Sequence, residues 1–191
     1  MRNGPQATVM RSALVRLFAL VLPLAVACGG GIAKSPTPAP PTGLFSPGVV
    51  PTMEQLCALL TPADWTAAGL AGAGPPEMDD DGPGTGSAYC VYNGASGATG
   101  GLELDVFVGP TVGDAQLTYA QILQSIPNPS APNLSGVDEA AIDTNIEPGF
   151  GAILARAGKL VVTITLPTSG DTADQLTALT NLVLGRAQDL Q

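Results

Sequence analysis

The sequence contains no histidine, and only 7 of its 191 residues are basic. The absence of histidine excludes Ser-His-Asp and Cys-His catalysis, histidine metal sites and a histidine pH switch. Aromatic residues make up only 4% of the chain, whereas glycine (24) and proline (18) are abundant. We therefore expect much of the chain to be turn and linker, and nothing in the sequence calls for a cofactor.

The few charges are unevenly distributed along the chain. Three arginines precede residue 28, and all 16 acidic residues follow it. Removing residues 1–27 would leave 4 basic residues against 16 acidic ones, a net charge of −12. An acidic surface repels nucleic-acid phosphates and anionic lipid head groups, so we expect no nucleic-acid partner.

The N-terminal segment has the organisation of an export signal. Its arginines are followed by a short apolar run, Leu17–Ala27, that ends in small residues. This run is shorter than the ~20 apolar residues of a membrane-spanning helix, and Pro23 interrupts it. Residues 1–27 are therefore predicted to be a lipoprotein signal peptide.

The residues around Cys28 resemble a bacterial lipobox. In Leu24-Ala-Val-Ala-Cys28, Ala25 takes the place where leucine is usual. The resemblance implies that Cys28 carries lipid and anchors the chain to the extracytoplasmic face of the bacterial cell membrane. Acyl chains contribute about 0.8 kcal/mol per buried methylene, so several together anchor firmly. The alternative is ordinary cleavage after Ala27, which would release a secreted protein.

Residues 28–52 are predicted to form a tether. Their glycines favour flexibility, and Ser35-Pro-Thr-Pro-Ala-Pro-Pro41 favours extended polyproline geometry. Such a composition cannot bury enough apolar surface to fold. We therefore expect one folded domain over residues 53–191.

Hydrophobic periodicity predicts helices and strands in separate groups. We expect helices over 53–60, 61–69 and 113–126, a C-terminal helix after a capping box at Thr172, and strands over 87–93, 102–108, 138–144, 150–157 and 159–166. Residues 71–86 read as a loop. The order α-α-β-β-α-β-β-β-α indicates an α+β fold, with an antiparallel sheet of about five strands packed with helices.

The two domain cysteines, Cys57 and Cys90, are predicted to form a structural disulfide. Three cysteines are an odd number for an exported chain, and lipidation of Cys28 would leave one pair. The alternative is a redox-active pair. Such pairs typically lie in Cys-X-X-Cys motifs, whereas these two are remote in sequence.

Two acidic groups invite functional interpretations. Asp79-Asp-Asp-Gly82 could suggest calcium, but its spacing is not that of an EF-hand, which favours a solvated loop and no metal. Glu103 and Asp105 share one face of a predicted strand. They leave open an envelope hydrolase that uses acidic residues alone, although the solvated side of an amphipathic strand explains them more simply.

The segment Cys57-Ala-Leu-Leu-Thr-Pro-Ala-Asp64 resembles the opening of exported lipoproteins of unknown function that are common in actinobacteria. Cys90-Val-Tyr92 resembles their second cysteine strand, and Gly136-Val-Asp-Glu-Ala140 resembles one of their turns. The resemblance implies a sheet between helices, similar to exported sensor-like domains. It implies no catalytic residues, since the family has no assigned activity.

We therefore predict a lipid-anchored envelope protein with a non-enzymatic binding or interaction domain. Its partner would be an unidentified envelope protein or small ligand. The alternatives are the acid-dependent hydrolase and a structural envelope protein. A working surface is expected on the 71–86 loop or the 126–135 loop.

Overall fold

The computed structural model describes residues 49–70, 72–79, 86–94 and 101–191. The predicted signal peptide, Cys28 and most of the predicted tether lie outside these residues. The elements are α1 (Met53–Cys57), α2 (Pro62–Ala67), β1 (Ala73–Asp79), β2 (Ser87–Gly94), β3 (Leu102–Val108), α3 (Val112–Leu123), β4 (Glu139–Glu147), β5 (Phe150–Ala157), β6 (Leu160–Pro167) and α4 (Thr172–Arg186), followed by a 3-10 turn (Gln188–Leu190).

The six strands form one sheet in the order β1-β2-β3-β6-β5-β4. Each neighbouring pair is antiparallel, so the predicted α+β class and antiparallel sheet are confirmed. Two hairpin groups, β1–β3 and β4–β6, meet where β6 pairs with β3. This junction places the two most strongly alternating strands at the centre of the sheet.

The prediction of a continuous loop over residues 71–86 is wrong, because β1 occupies Ala73–Asp79. Pro75 and Pro76 conceal this strand in the sequence, since proline cannot donate to a sheet ladder. Among the described residues β1 pairs only with β2, and its register shifts between Ala73 and Pro76. An edge strand tolerates proline in this way, because one side of its backbone has no neighbour in the sheet.

The helices begin at threonine capping residues, with the exception of α4. Thr61 with Asp64 and Thr111 with Asp114 form the capping boxes of α2 and α3. The capping box predicted at Thr172 is wrong: Thr172 is the first residue of α4, and its hydroxyl donates to the carbonyl oxygen of Ser169 at 2.8 Å. In the described part of the chain, no helix has the length and apolarity that crossing a membrane requires.

One sheet face carries the main core. The core joins α1, α2 and α4 to the inward-facing residues of the strands, and its largest fully buried side chains include Trp65, Tyr92, Leu104, Ile153, Ile164 and Leu176. α3 packs on the opposite face against β5 and β6, with a second cluster built from Ala115, Tyr119, Ile126, Ala141, Leu154 and Val161. Helices therefore lie on both sides of the sheet, but α3 covers only the β5–β6 half of the sheet face on which it packs.

Candidate functional site on the open face of the sheet

The two domain cysteines lie at disulfide-bonding distance, as the predicted pair requires. Their sulfur atoms are 2.06 Å apart, and the bridge links the end of α1 to β2. Cys57 is 2% exposed and Cys90 is 0% exposed. A bond at this position would fasten α1 to the sheet, and the burial of both cysteines favours this structural role over a redox role.

Tyr92 reinforces the same junction from the next inward position of β2. Its hydroxyl lies 2.6 Å from the carbonyl oxygen of Cys57 and 2.8 Å from that of Leu60. Its ring contacts that of Trp65, with centroids 5.1 Å apart. Cys57, Leu59, Leu60 and Trp65 therefore belong to the core, which gives this stretch a structural role.

The other side of β1–β3 presents a different set of side chains, which we call the open face: Glu77, Asp79, Tyr89, Val91, Glu103 and Asp105. Strand register places these residues together. Asp79, Tyr89 and Asp105 lie opposite one another in one row, and Glu77, Val91 and Glu103 lie in the next. Residues directly opposite each other on neighbouring strands share a face of the sheet. The open face thus combines four carboxylates with a tyrosine and a valine.

Tyr89 lies at the centre of these carboxylates and is 39% exposed. Its neighbours Ala88 and Cys90 point into the core, so the alternation of β2 turns Tyr89 outward. Burial, a hydrogen bond to Glu103 and the charges of Glu103 and Asp105 together raise the pKa of Tyr89 to about 12. The phenol therefore stays neutral over the physiological range and donates a hydrogen bond to Glu103.

At pH 10, the ordinary tyrosine pKa, we expect less tyrosinate absorbance from the folded protein than from the unfolded chain. The pKa of each of the three tyrosines, Tyr89, Tyr92 and Tyr119, is raised, with burial as the largest cause. A raised pKa favours folding below pH 10, and this contribution is lost as the pH rises through about 12 for Tyr89.

An ultraviolet pH titration measures these ionisations. Glu103→Gln should lower the pKa of Tyr89 because it removes a negative charge and a charged acceptor, whereas Asp189→Asn, at an exposed position of the C-terminal turn, should leave it in place. As much tyrosinate at pH 10 in the folded protein as in the unfolded chain would contradict the placement of these side chains.

Glu103 and Asp105 share the open face, as the sequence predicted for them. Residues two apart on a strand are about 6.7 Å apart, which falls in the range for the two carboxyl groups of an inverting glycosidase. Such a reaction also needs walls that hold the substrate and exclude water. Here Tyr89 occupies the adjacent strand position and binds Glu103, so this carboxylate already has a partner on the open face.

Metal binding was not predicted for the acidic residues. Among the residues whose placement is described, no group of three or more Asp, Glu, His or Cys side chains is arranged to hold a metal ion. Asp79 ends β1, while the rest of Asp79-Asp-Asp-Gly82 lies outside the described residues. The open face is consequently an extended acidic surface in the described part of the chain.

The 126–135 segment, proposed from the sequence as a working surface, lies along the outer edge of β4. Ser130 forms a bridge with Ile142, and Asp143 accepts a hydrogen bond from the backbone nitrogen of Asn128 at 3.0 Å. Ile126 is buried in the second core cluster. These contacts fasten the segment to the sheet edge, where it covers part of the outer side of β4, opposite the side that pairs with β5.

The turn at Gly136–Ala140 is held by a buried arginine. Arg156 donates to Glu139 at 2.7 Å and to Asp138 at 2.9 Å, and its residue is 4% exposed. Asp138 also accepts from the backbone nitrogen of Gly158, which forms the β5–β6 turn with a φ of +56°. This network joins the start of β4 to that turn, so the motif has a structural role.

Sequence reasoning found Glu103 and Asp105 but not Glu77 or Tyr89 as parts of one surface. The alternation of β2 contained the signal for Tyr89, because Tyr89 and its neighbour Cys90 must point to opposite faces of a strand. Glu77 carried no such signal, since its strand was not recognised. Comparison with protein-family models, curated proteins and solved structures finds no match to the chain. The resemblance to exported lipoproteins therefore stays a prediction from short motifs.

Proposed function

We propose that this chain is a lipid-anchored protein of the extracytoplasmic cell envelope, and that its folded domain binds a partner without catalysing a reaction. Cys28 is the attachment point, residues 28–52 are the tether, and residues 53–191 are the binding domain. The proposal combines the N-terminal sequence pattern with the organisation of the sheet.

The observation that carries the location is the buried cysteine pair. Disulfides persist in oxidising compartments outside the cytoplasm and are rare within it. Cys57 and Cys90 bond inside the core of a domain that follows an export-like segment. Both features favour export, and Cys28 then remains as the one cysteine outside the domain.

The open face supports a binding role. The described helix on that side, α3, packs on β5 and β6, while Tyr89 and the exposed acids of β1 remain in contact with solvent. A sheet face bearing an exposed aromatic ring among charged groups suits recognition of a partner surface, since aromatic residues supply contact area and charges supply specificity.

Metabolic labelling with a clickable fatty acid tests the anchor. We expect the wild-type chain to be labelled and Cys28→Ser to lose the label completely, because the modified thiol is gone. Cys90→Ser is the matched control, since it removes a domain cysteine but should keep the label. Label that persists on Cys28→Ser, or a wild-type chain that is never labelled, would show that the anchor is wrong.

A further inference from the structure

We infer that the open face docks a lysine- or arginine-rich segment of a partner protein. The inference deepens the proposed function, on which it rests, by assigning the binding surface and the chemistry of the partner. It depends on three features of the described residues: the uncovered half of the sheet, its charge, and the exposed aromatic ring at its centre.

The shape of the surface follows from the strand order. α3 packs on β5 and β6, and its cluster reaches as far as Phe107 on β3. Beyond Phe107 the open face continues across β3, β2 and β1, a width of about 10 Å at the ~4.8 Å spacing of neighbouring strands. This width accommodates one extended or helical segment of a partner laid beside α3.

The carboxylates determine the charge that this segment must carry. Glu77 and Glu103 lie on either side of Val91, while Asp79 and Asp105 lie on either side of Tyr89. The carboxylates therefore form two rows with an uncharged side chain at the centre of each. A basic side chain can place its apolar stem on Val91 or Tyr89 and its charged end between two acids.

Tyr89 adds a preference for organic cations. Its ring is 39% exposed, and the face of an aromatic ring attracts lysine ammonium and arginine guanidinium groups. The surface thus offers an exposed ring between two carboxylates in one row across three strands.

The negative charge of the open face also argues against other occupants. A second copy of the chain would bring its own carboxylates against these, and like charges facing each other oppose association. Nucleic acid and anionic lipid are repelled for the same reason. Once the signal segment is removed, the chain has 16 acidic residues and 4 basic ones. The described part contains three of these basic residues, and two of them, Arg156 and Arg186, form internal ion pairs. A basic partner segment fits this balance.

The test uses the full-length chain in detergent and a fluorescent peptide of alternating lysine and threonine, with a glutamate-for-lysine peptide as the comparison. Fluorescence anisotropy should show saturable binding of the lysine peptide alone at low salt. Binding should weaken at about 0.3 M salt, where the screening length falls well below 10 Å.

Two variants with the same change of net charge locate the site. Glu77→Gln with Glu103→Gln removes one acid on each side of Val91, whereas Asp174→Asn with Asp189→Asn removes two exposed acids of α4 and the C-terminal turn. We expect the first variant to bind the lysine peptide about three- to tenfold more weakly, from two lost surface ion pairs, and the second to bind like the wild type. Unchanged thermal unfolding of both variants verifies that they are folded.

Equal weakening by both variants would overturn the inference, because the effect would then depend on net charge alone. Absence of saturable binding at low salt would also overturn it. Fatty-acid labelling reports separately on the anchor: a labelled chain that does not bind the peptide contradicts only the docking surface. A chain that binds through the open face without being labelled contradicts only the anchor.

Discussion

Replacing both Cys57 and Cys90 with alanine should lower the free energy of unfolding by about 4 kcal/mol. The bridge spans a sequence separation of 33 residues, and in the chain-entropy model a loop of this length restricts the unfolded chain by about that amount. The effect matters for this domain because α1 is only five residues long. An isolated helix of that length has little stability of its own, so it depends on its attachment to β2.

Urea unfolding followed by circular dichroism measures the loss. The wild-type protein with and without reductant gives a second comparison, because reduction should produce a shift of similar size once the core opens. Cys28→Ser is the control, since that cysteine lies outside the 53–191 domain and should leave the unfolding midpoint unchanged. A double alanine variant as stable as the wild type would show that the bridge contributes nothing.

Most strands were predictable from local pattern. β2, β3, β5 and β6 were found within one residue at each end, because apolar positions alternate in β3 and β6, while β2 and β5 are short, largely apolar runs bounded by glycines. β1 was missed because Pro75 and Pro76 are typical of loops, although an edge strand can hold them. The order of the strands could not be predicted, since the pairing of β3 with β6 joins residues about sixty positions apart in the sequence.

The same reasoning applies to the candidate site. Glu103 and Asp105 could be placed together because they belong to one strand. Their proximity to Glu77 depends on the register of three strands. The position of α3 decides which half of the face stays open, and its amphipathic stripe does not indicate which strands it will cover. The local sequence pattern was therefore sufficient to identify individual surface side chains. Which of them share one surface depends on the pairing of strands that are distant in sequence.

The roles of the buried arginines were also hidden in the sequence. Composition showed only that basic residues are few. In the structure, Arg186 at the end of α4 donates to both carboxylate oxygens of Asp64, at 2.7 and 2.9 Å, and to the carbonyl oxygen of Leu59 at 2.7 Å. Asp64 also caps α2 through Thr61. One ion pair therefore joins α4 to α2 across 122 residues of sequence, and a hydrogen bond joins α4 to the α1–α2 connection.

Replacing Arg186 with methionine should lower the free energy of unfolding by about 3 kcal/mol at neutral pH. The pair is largely buried, with side-chain exposures of 13% and 14%, so removal of one partner leaves a charge without compensation. Methionine keeps most of the apolar stem, which limits the loss of packing. Urea unfolding is the measurement, and Lys159→Met, at an exposed cation on the β5–β6 turn, should change the stability by less than about 0.5 kcal/mol.

The destabilisation by Arg186→Met should diminish in acid, which distinguishes a lost ion pair from lost packing. Burial raises the pKa of Asp64, but hydrogen bonds from Arg186 and Thr61 and the charge of Arg186 outweigh it, so the pKa lies below its ordinary value of 3.8. A depressed pKa contributes stability above pH 3.8, and this contribution is lost as the pH falls through the folded-state value. The variant lacks the part of that contribution that Arg186 supplies, whereas Thr61 remains, so the difference between the two unfolding free energies should shrink as the pH falls below 3.8. A difference that stays constant from pH 7 to pH 3 would show that Arg186 acts through packing alone.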